Sequence, residues 1–187
     1  MKHKLLYLLV MVCIVACNSN QPTEPSNEDA ANYVDLGLPS GTLWKRVNEL
    51  NYPKDTTCYF IYNEAVDTFK ANVPTAQQWM ELVDKCQWIW KKELSVLDKN
   101  NMLVKYPGYK VIGLNGDSIL LPAMGGRSIN GEDCYVGIYG EYWTSNMDGA
   151  EGAKGFSFNS DTTYIGYYLR KDGLCVRLVM NAKDNKD

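Results

Sequence analysis

The sequence predicts an α+β domain, and three observations carry the expectation. Apolar residues recur at helical spacing at Trp79, Leu82, Val83 and Cys86, one face of one helix. Short alternating segments punctuated by Asn-Gly and Asp-Gly fill the second half of the chain. Helical and strand signals lie in separate stretches, which argues against a doubly wound parallel sheet. The expected order is a short strand, one or two short helices, then a run of short antiparallel strands.

The elements follow in order. Tyr33 to Leu38 alternates as a short strand, Pro39-Ser40-Gly41 turns the chain, and Leu43 and Trp44 return it to the core. Cys58 to Ile61 reads as another strand, and Asn63 as the cap of a brief helix ending near Phe69. Thr75 with Gln78 three residues on forms a capping box ahead of the main helix. From about residue 103 the pattern turns to β. Tyr109–Leu114 and Asp117–Leu121 flank Asn115-Gly116, a hairpin signal, because Asn-Gly tolerates the positive φ of a tight two-residue turn. Asn130-Gly131 and Asp172-Gly173 are further turn candidates. Short strands are expected near Tyr142–Ser145, Gly155–Asn159, Tyr164–Arg170 and Cys175–Val179. No internal repeat at a fixed period is visible.

Residues 1–16 read as a secretory signal: Lys2 and Lys4, an apolar run from Leu5 to Val15, then small residues before Cys17. The run is short for a membrane span, which needs about 20 residues. Ile14-Val15-Ala16-Cys17 resembles a bacterial lipobox, which implies that Cys17 is lipidated and becomes the first residue of the mature protein. Residues 17–32 are polar and proline-bearing, a flexible tether. The domain is expected over 33–180 and a polar tail over 181–187. The address that follows is the cell envelope, lipid-anchored, at the outer membrane, with the periplasmic or surface face left open.

Charge and chemistry narrow the function classes. The chain carries formal net charge -3. Loss of the signal removes Lys2 and Lys4, leaving 17 basic against 22 acidic residues. With no arginine-rich run, nucleic acid is a poor partner. The one histidine, His3, lies in the signal, so the expected mature protein has no histidine for a Ser-His or Cys-His centre. Cys13 leaves with the signal and Cys17 is acylated, leaving Cys58, Cys86, Cys134 and Cys175. In an exported chain two disulfides are the default, and four cysteines allow three pairings.

The run YVDLGLPSGTLW at Tyr33–Trp44 closely resembles the opening of Fibrobacter succinogenes major paralogous (FISUMP)-type domains of exported Bacteroidetes lipoproteins. Val73-Pro74-Thr75 with Trp79, Cys86-Gln87-Trp88, Gly108-Tyr109-Lys110-Val111, Leu121-Pro122-Ala123, Gly126-Arg127, Val136-Gly137, Tyr142-Trp143-Thr144-Ser145 and Val176-Arg177-Leu178-Val179 keep that family's order. The resemblance covers nearly all of 33–180 and implies a C-type lectin-like fold. Lys45-Arg46-Val47-Asn48 departs from the family's cysteine-bearing step after the first tryptophan. By analogy Cys58 stands in for that cysteine and pairs with Cys86, leaving Cys134 for Cys175.

A formylglycine-type oxidase would use a reactive cysteine pair with copper, and here disulfides are the simpler use of the thiols. A carboxylate glycosidase would draw on Glu132, Asp133, Glu141, Asp148 and Glu151, but no spacing singles out a pair. Calcium would find oxygen ligands in Asn146, Asp148 and Glu151, although Trp143-Thr144-Ser145-Asn146-Met147-Asp148 breaks the lectin calcium motif. The chain is therefore expected to be non-enzymatic and without cofactor or metal, calcium being unsupported by motif. Aromatic residues offer rigid, amphipathic contact area for sugars or proteins. Trp88 and Trp90 alternate, and Tyr135, Tyr139, Tyr164, Tyr167 and Tyr168 crowd the C-terminal half. The candidate surface spans Glu141–Asp172, with Tyr142, Trp143, Asn146, Asp148, Tyr164 and Tyr167 as contacts. The expected function is a tethered binding module for a glycan or protein, the alternatives being a structural subunit of a surface assembly and an enzyme of the kinds just named.

Overall fold

The computed structural model describes residues 31–51, 58–97 and 103–181. The expected signal, Cys17 and nearly all of the tether, together with the tail beyond Asn181, lie outside the described residues.

Thirteen strands and two α-helices are described. They are β1 (Tyr33–Asp35), β2 (Thr42–Lys45), β3 (Tyr59–Ile61), α1 (Tyr62–Phe69), α2 (Ala76–Lys85), β4 (Gln87–Leu97), β5 (Leu103–Ile112), β6 (Ser118–Pro122), β7 (Gly126–Arg127), β8 (Asp133–Cys134), β9 (Gly140–Asp148), β10 (Gly152–Phe158), β11 (Thr163–Leu169), β12 (Gly173–Cys175) and β13 (Val179–Asn181). A 3-10 turn at Lys70–Asn72 joins the helices. Strands take about half of the described residues, so the architecture is β-rich. This corrects the α+β, C-type lectin-like expectation. Three strands precede the helices, and the helices are a short insertion among sheets.

The largest sheet runs β11-β10-β9-β12-β7-β8, with β3 added on β12; β4-β5-β6 and β1-β2-β13 form two three-stranded sheets. β13 pairs with β2, Val179 opposite Trp44, so the two ends of the domain close on each other.

α2 forms where the sequence places it. Thr75 Oγ1 accepts from Gln78 N at 3.1 Å and Gln78 Oε1 accepts from Thr75 N at 2.8 Å, both halves of the capping box. Its apolar face buries Trp79 and Leu82 completely. Trp79 stacks on Phe156 at 4.4 Å and packs against Trp44 at 4.6 Å, tying the helix to two sheets. α1 differs from expectation. It starts at Tyr62 after Ile61, with no side-chain cap, so Asn63 is released for another use.

The β5–β6 connection is not a two-residue turn. Gly116 N donates to Gly113 O and Gly113 N to Asp117 O, and Gly116 takes positive φ, 89°. This is a three-residue loop closed by a glycine bulge. Ser128–Glu132 repeats the pattern around Gly131, φ 84°. β4 is an element the sequence reading did not separate: it begins right after α2, and Trp88 and Trp90 both lean on Tyr109 of β5, at 5.1 and 5.0 Å.

β9 is covered on both faces. Tyr142 lies in the larger core cluster with Trp44, Trp79 and Phe156; its neighbour Trp143 lies in a second cluster with Phe60, Tyr62 and Leu174. Between the sheets sits Arg177, fully buried. It donates to Asn48 Oδ1 (2.9 Å), Lys45 O (2.8 Å) and Leu120 O (2.7 Å).

Candidate functional site

The segment Glu141–Asp172 forms β9, β10 and β11, joined by tight turns. Its predicted contact residues divide sharply. Tyr142 and Trp143 have no exposure. Tyr142 donates to Pro122 O and Trp143 Nε1 to Phe60 O, so they build the core and cannot touch a ligand. The expectation fails for these two because both faces of β9 are packed. Asn146, Asp148, Tyr164 and Tyr167 are exposed. Asn146 Oδ1 accepts from Ala76 N at 2.7 Å, a contact that pins β9 to the start of α2.

Tyr164 and Tyr167 stand on β11, which pairs only with β10 among the described strands. Tyr167 lies against Gly152, where an added Cβ would meet its ring at 2.0 Å. On the opposite face Tyr168 shares a hydrogen bond with Ser157 Oγ and donates to Glu141 Oε1 at 3.4 Å. Burial pushes the Glu141 carboxyl above its usual range, outweighing the Tyr168 hydrogen bond that lowers it. Gly126 makes room for this carboxyl, since a Cβ there would come within 2.3 Å of Glu141 Oε2.

Beside this face, α1 and the ends of β9 and β11 enclose a cleft of about 520 Å³. Tyr62, Asn63, Asp67, Lys70, Ser145, Met147 and Arg170 line it. The Tyr62 ring is buried edge-on against Trp143 at 5.3 Å, and its hydroxyl donates to Ser145 O at 2.8 Å. The Arg170 guanidinium lies 5.4 Å from that ring centroid. Two of its nitrogens donate to Asn63 Oδ1, and a third to Ala150 O at 3.2 Å. The Arg170 backbone is fixed too, its N bonded to Glu151 O and its O to Tyr62 N. Lys70 holds φ 50°, ψ -124°, an unusual backbone state for a residue with a side chain. The cleft thus combines a thioether with amide, hydroxyl, acid and cationic groups around a buried tyrosine, the mixture that orients a polar ligand.

Sequence reasoning missed Asn63, Asp67, Lys70 and Arg170 as a group. They belong to α1, its end and the β11–β12 turn, distant in sequence. The available signal was Asn63: a helix whose cap position falls two residues earlier, at Ile61, leaves its amide without a capping task.

The carboxylates Glu132, Asp133, Asp148 and Glu151 are exposed. Asp133 pairs with Arg127 at 2.7 Å. Among the described residues Cys58 and Cys175 are buried and Cys86 and Cys134 half-buried. Burial lifts the Cys86 thiol to about 11, with the Glu81 charge adding to the rise. Cys134 Sγ donates to Glu132 O at 3.5 Å. Cys58, the expected partner of Cys86, lies 3.7 Å from Met124 Sδ and shares the larger core cluster with Cys175.

No protein-family model, curated protein or solved structure matches the chain.

Proposed function

We propose that the chain is an exported lipoprotein, held at the outer membrane by a lipid on Cys17, whose domain at 33–180 belongs with FISUMP-type domains and acts as a non-enzymatic binding module for a glycan or protein ligand. The observation that supports binding is the cleft under α1. Its volume of about 520 Å³ lies within the range of small-molecule sites, roughly 300–1,000 Å³. It suits a short glycan: Asn63, Asp67, Lys70 and Arg170 offer groups for sugar hydroxyls, and exposed Met147 offers an apolar contact. The site is also rigid, because Arg170 is held by backbone and side-chain bonds before any ligand arrives.

The test is a glycan and protein array probed with the tag-purified chain, with and without calcium. A hit should weaken at least tenfold in Arg170→Ala and Asn63→Ala and change little in Tyr164→Ala. No hit under either condition, or hits insensitive to both cleft variants, would count against the reading. A second reading, a structural subunit of a surface assembly, draws support from the outer edge of β11, which carries exposed Tyr164, Tyr167 and Leu169 and would accept another strand. Co-purification of a stoichiometric partner from membranes, abolished by Tyr167→Lys, would favour it.

A further inference from the structure

Cys58 and Cys175 reach one point in the core from two strands. β3 and β12 pair antiparallel with Cys175 opposite Tyr59, which leaves Cys58 one residue beyond the last pair. Cys58 sits at the bend before β3, where strand alternation has not begun, so Cys58, Tyr59 and Cys175 all join the larger core cluster. Neither cysteine has any exposure. Cys58 Sγ lies 3.7 Å from Met124 Sδ, and the β3–β12 register sets Cys175 one pair away from it. Tyr59 covers the spot, its hydroxyl bonded to Met124 O and its ring under the Arg127 guanidinium at 5.0 Å.

We propose that Cys58 and Cys175 are joined by a disulfide in the secreted protein, stapling β3 to β12. The proposal rests on the export proposed above, because that compartment supplies the oxidant, a protein or small-molecule disulfide. One cysteine thiolate attacks the oxidant disulfide, forming a mixed disulfide and expelling one oxidant thiolate. The second cysteine thiolate then attacks the first cysteine sulfur and expels the other. The cysteine pair loses two electrons and two protons, and the oxidant becomes a dithiol. Burial raises the Cys175 thiol well above its ordinary value, so thiolate is scarce once the core has closed. The β3–β12 ladder ends at Cys175, one residue step across the strands from Cys58.

The sequence makes the test direct, since trypsin places the four cysteines on four peptides: 55–70, 86–91, 128–154 and 172–177. The full chain is expressed with its own signal, trapped with iodoacetamide before denaturation, alkylated again after denaturation, and digested without reductant. A second sample is reduced, denatured and refolded in oxidised glutathione. The expected result in both is a linked 55–70/172–177 species lighter by two hydrogens than its separate thiol peptides, and a midpoint of thermal unfolding that falls on adding dithiothreitol. Cys175→Ser should abolish that dithiothreitol effect. The same linkage in the glutathione sample alone upholds the pairing and refutes export. Cys58 joined to Cys86, or Cys58 and Cys175 recovered as alkylated thiols in both samples, overturns the proposal.

Discussion

Replacing Arg177 with methionine tests the packing argument most severely. The guanidinium is fully buried and donates three hydrogen bonds, to the end of β2, to Asn48 and to β6. Bonds from a charged donor contribute about 1.5–3 kcal/mol each, so three sum to roughly 5–9 kcal/mol in gross terms. Against this, methionine removes the cost of holding a cation out of water, several kcal/mol in effective terms, and that same burial lowers the arginine's own pKa. What remains is the penalty of two orphaned carbonyls and one amide oxygen in a closed core. The net expected loss is about 3–5 kcal/mol, the range typical when one partner of a buried charged network is deleted. Urea unfolding followed by tryptophan fluorescence measures it, with the slope compared to confirm that the denatured state is unchanged. Arg170→Met, at a half-buried arginine on the cleft, serves as the control and should cost under about 1 kcal/mol. A loss below about 1 kcal/mol for Arg177→Met would show that the three acceptors find other partners, and the account of Arg177 as the tie between sheets would fall.

Trp79→Ala should cost about 3–5 kcal/mol, because the indole fills the space between Trp44, Tyr142 and Phe156; an unfolding midpoint close to that of the unaltered protein would contradict it. Thr75→Ala removes one half of the capping box and should lose about 1 kcal/mol, which denaturant unfolding would detect. Glu141 carries a raised carboxyl pKa in the fold, so its protonated form is favoured there. Its favourable contribution is complete below the unfolded value, about 4.3, and is lost as pH climbs through the folded value. Glu141→Gln should therefore gain stability relative to the unaltered chain between pH 4 and pH 7. A difference that stays constant over that interval would refute the burial of the charge.

Legibility followed the strength of local physics. The capping box at Thr75 and Gln78 is a local device, and α2 appears with its cap and with Trp79 and Leu82 buried. Strand positions between residues 140 and 170 match the expectation to within a few residues, since Gly and Tyr punctuate them, whereas the strand expected over Cys175–Val179 is the break between β12 and β13 and meets strand only at its two ends. β4 was not legible, because Gln87–Leu97 is long, charged in its middle and interrupted by a bulge between Lys91 and Leu94; the period-2 signal survives only in Trp88 and Trp90. The fold class failed for a related reason. Short strands separated by turns carry weak individual signals, so the helix with the clean apolar face weighed too heavily. At the candidate site, Tyr142 and Trp143 entered the contact set as amphipathic aromatics within the segment Glu141–Asp172. Only tertiary structure reveals that separate core clusters cover both faces of β9.

That covering also decides where recognition is best sought. Trp143 cannot move without disturbing Phe60, whose carbonyl it binds, and Tyr62, whose ring it supports. Tyr62 in turn holds Ser145 through its hydroxyl and Arg170 through its backbone N–H. The cleft wall is thus continuous with the second core cluster, and its polar groups are aimed by packing. A ligand there meets a surface that has already lost its conformational freedom, which lowers the ordering cost of binding. Tyr164 and Tyr167 differ: each is exposed on a strand supported from one side alone. They offer contact area with less fixed geometry. If one surface of this domain discriminates among ligands, it is the cleft, while the β11 edge contributes area that many partners could use.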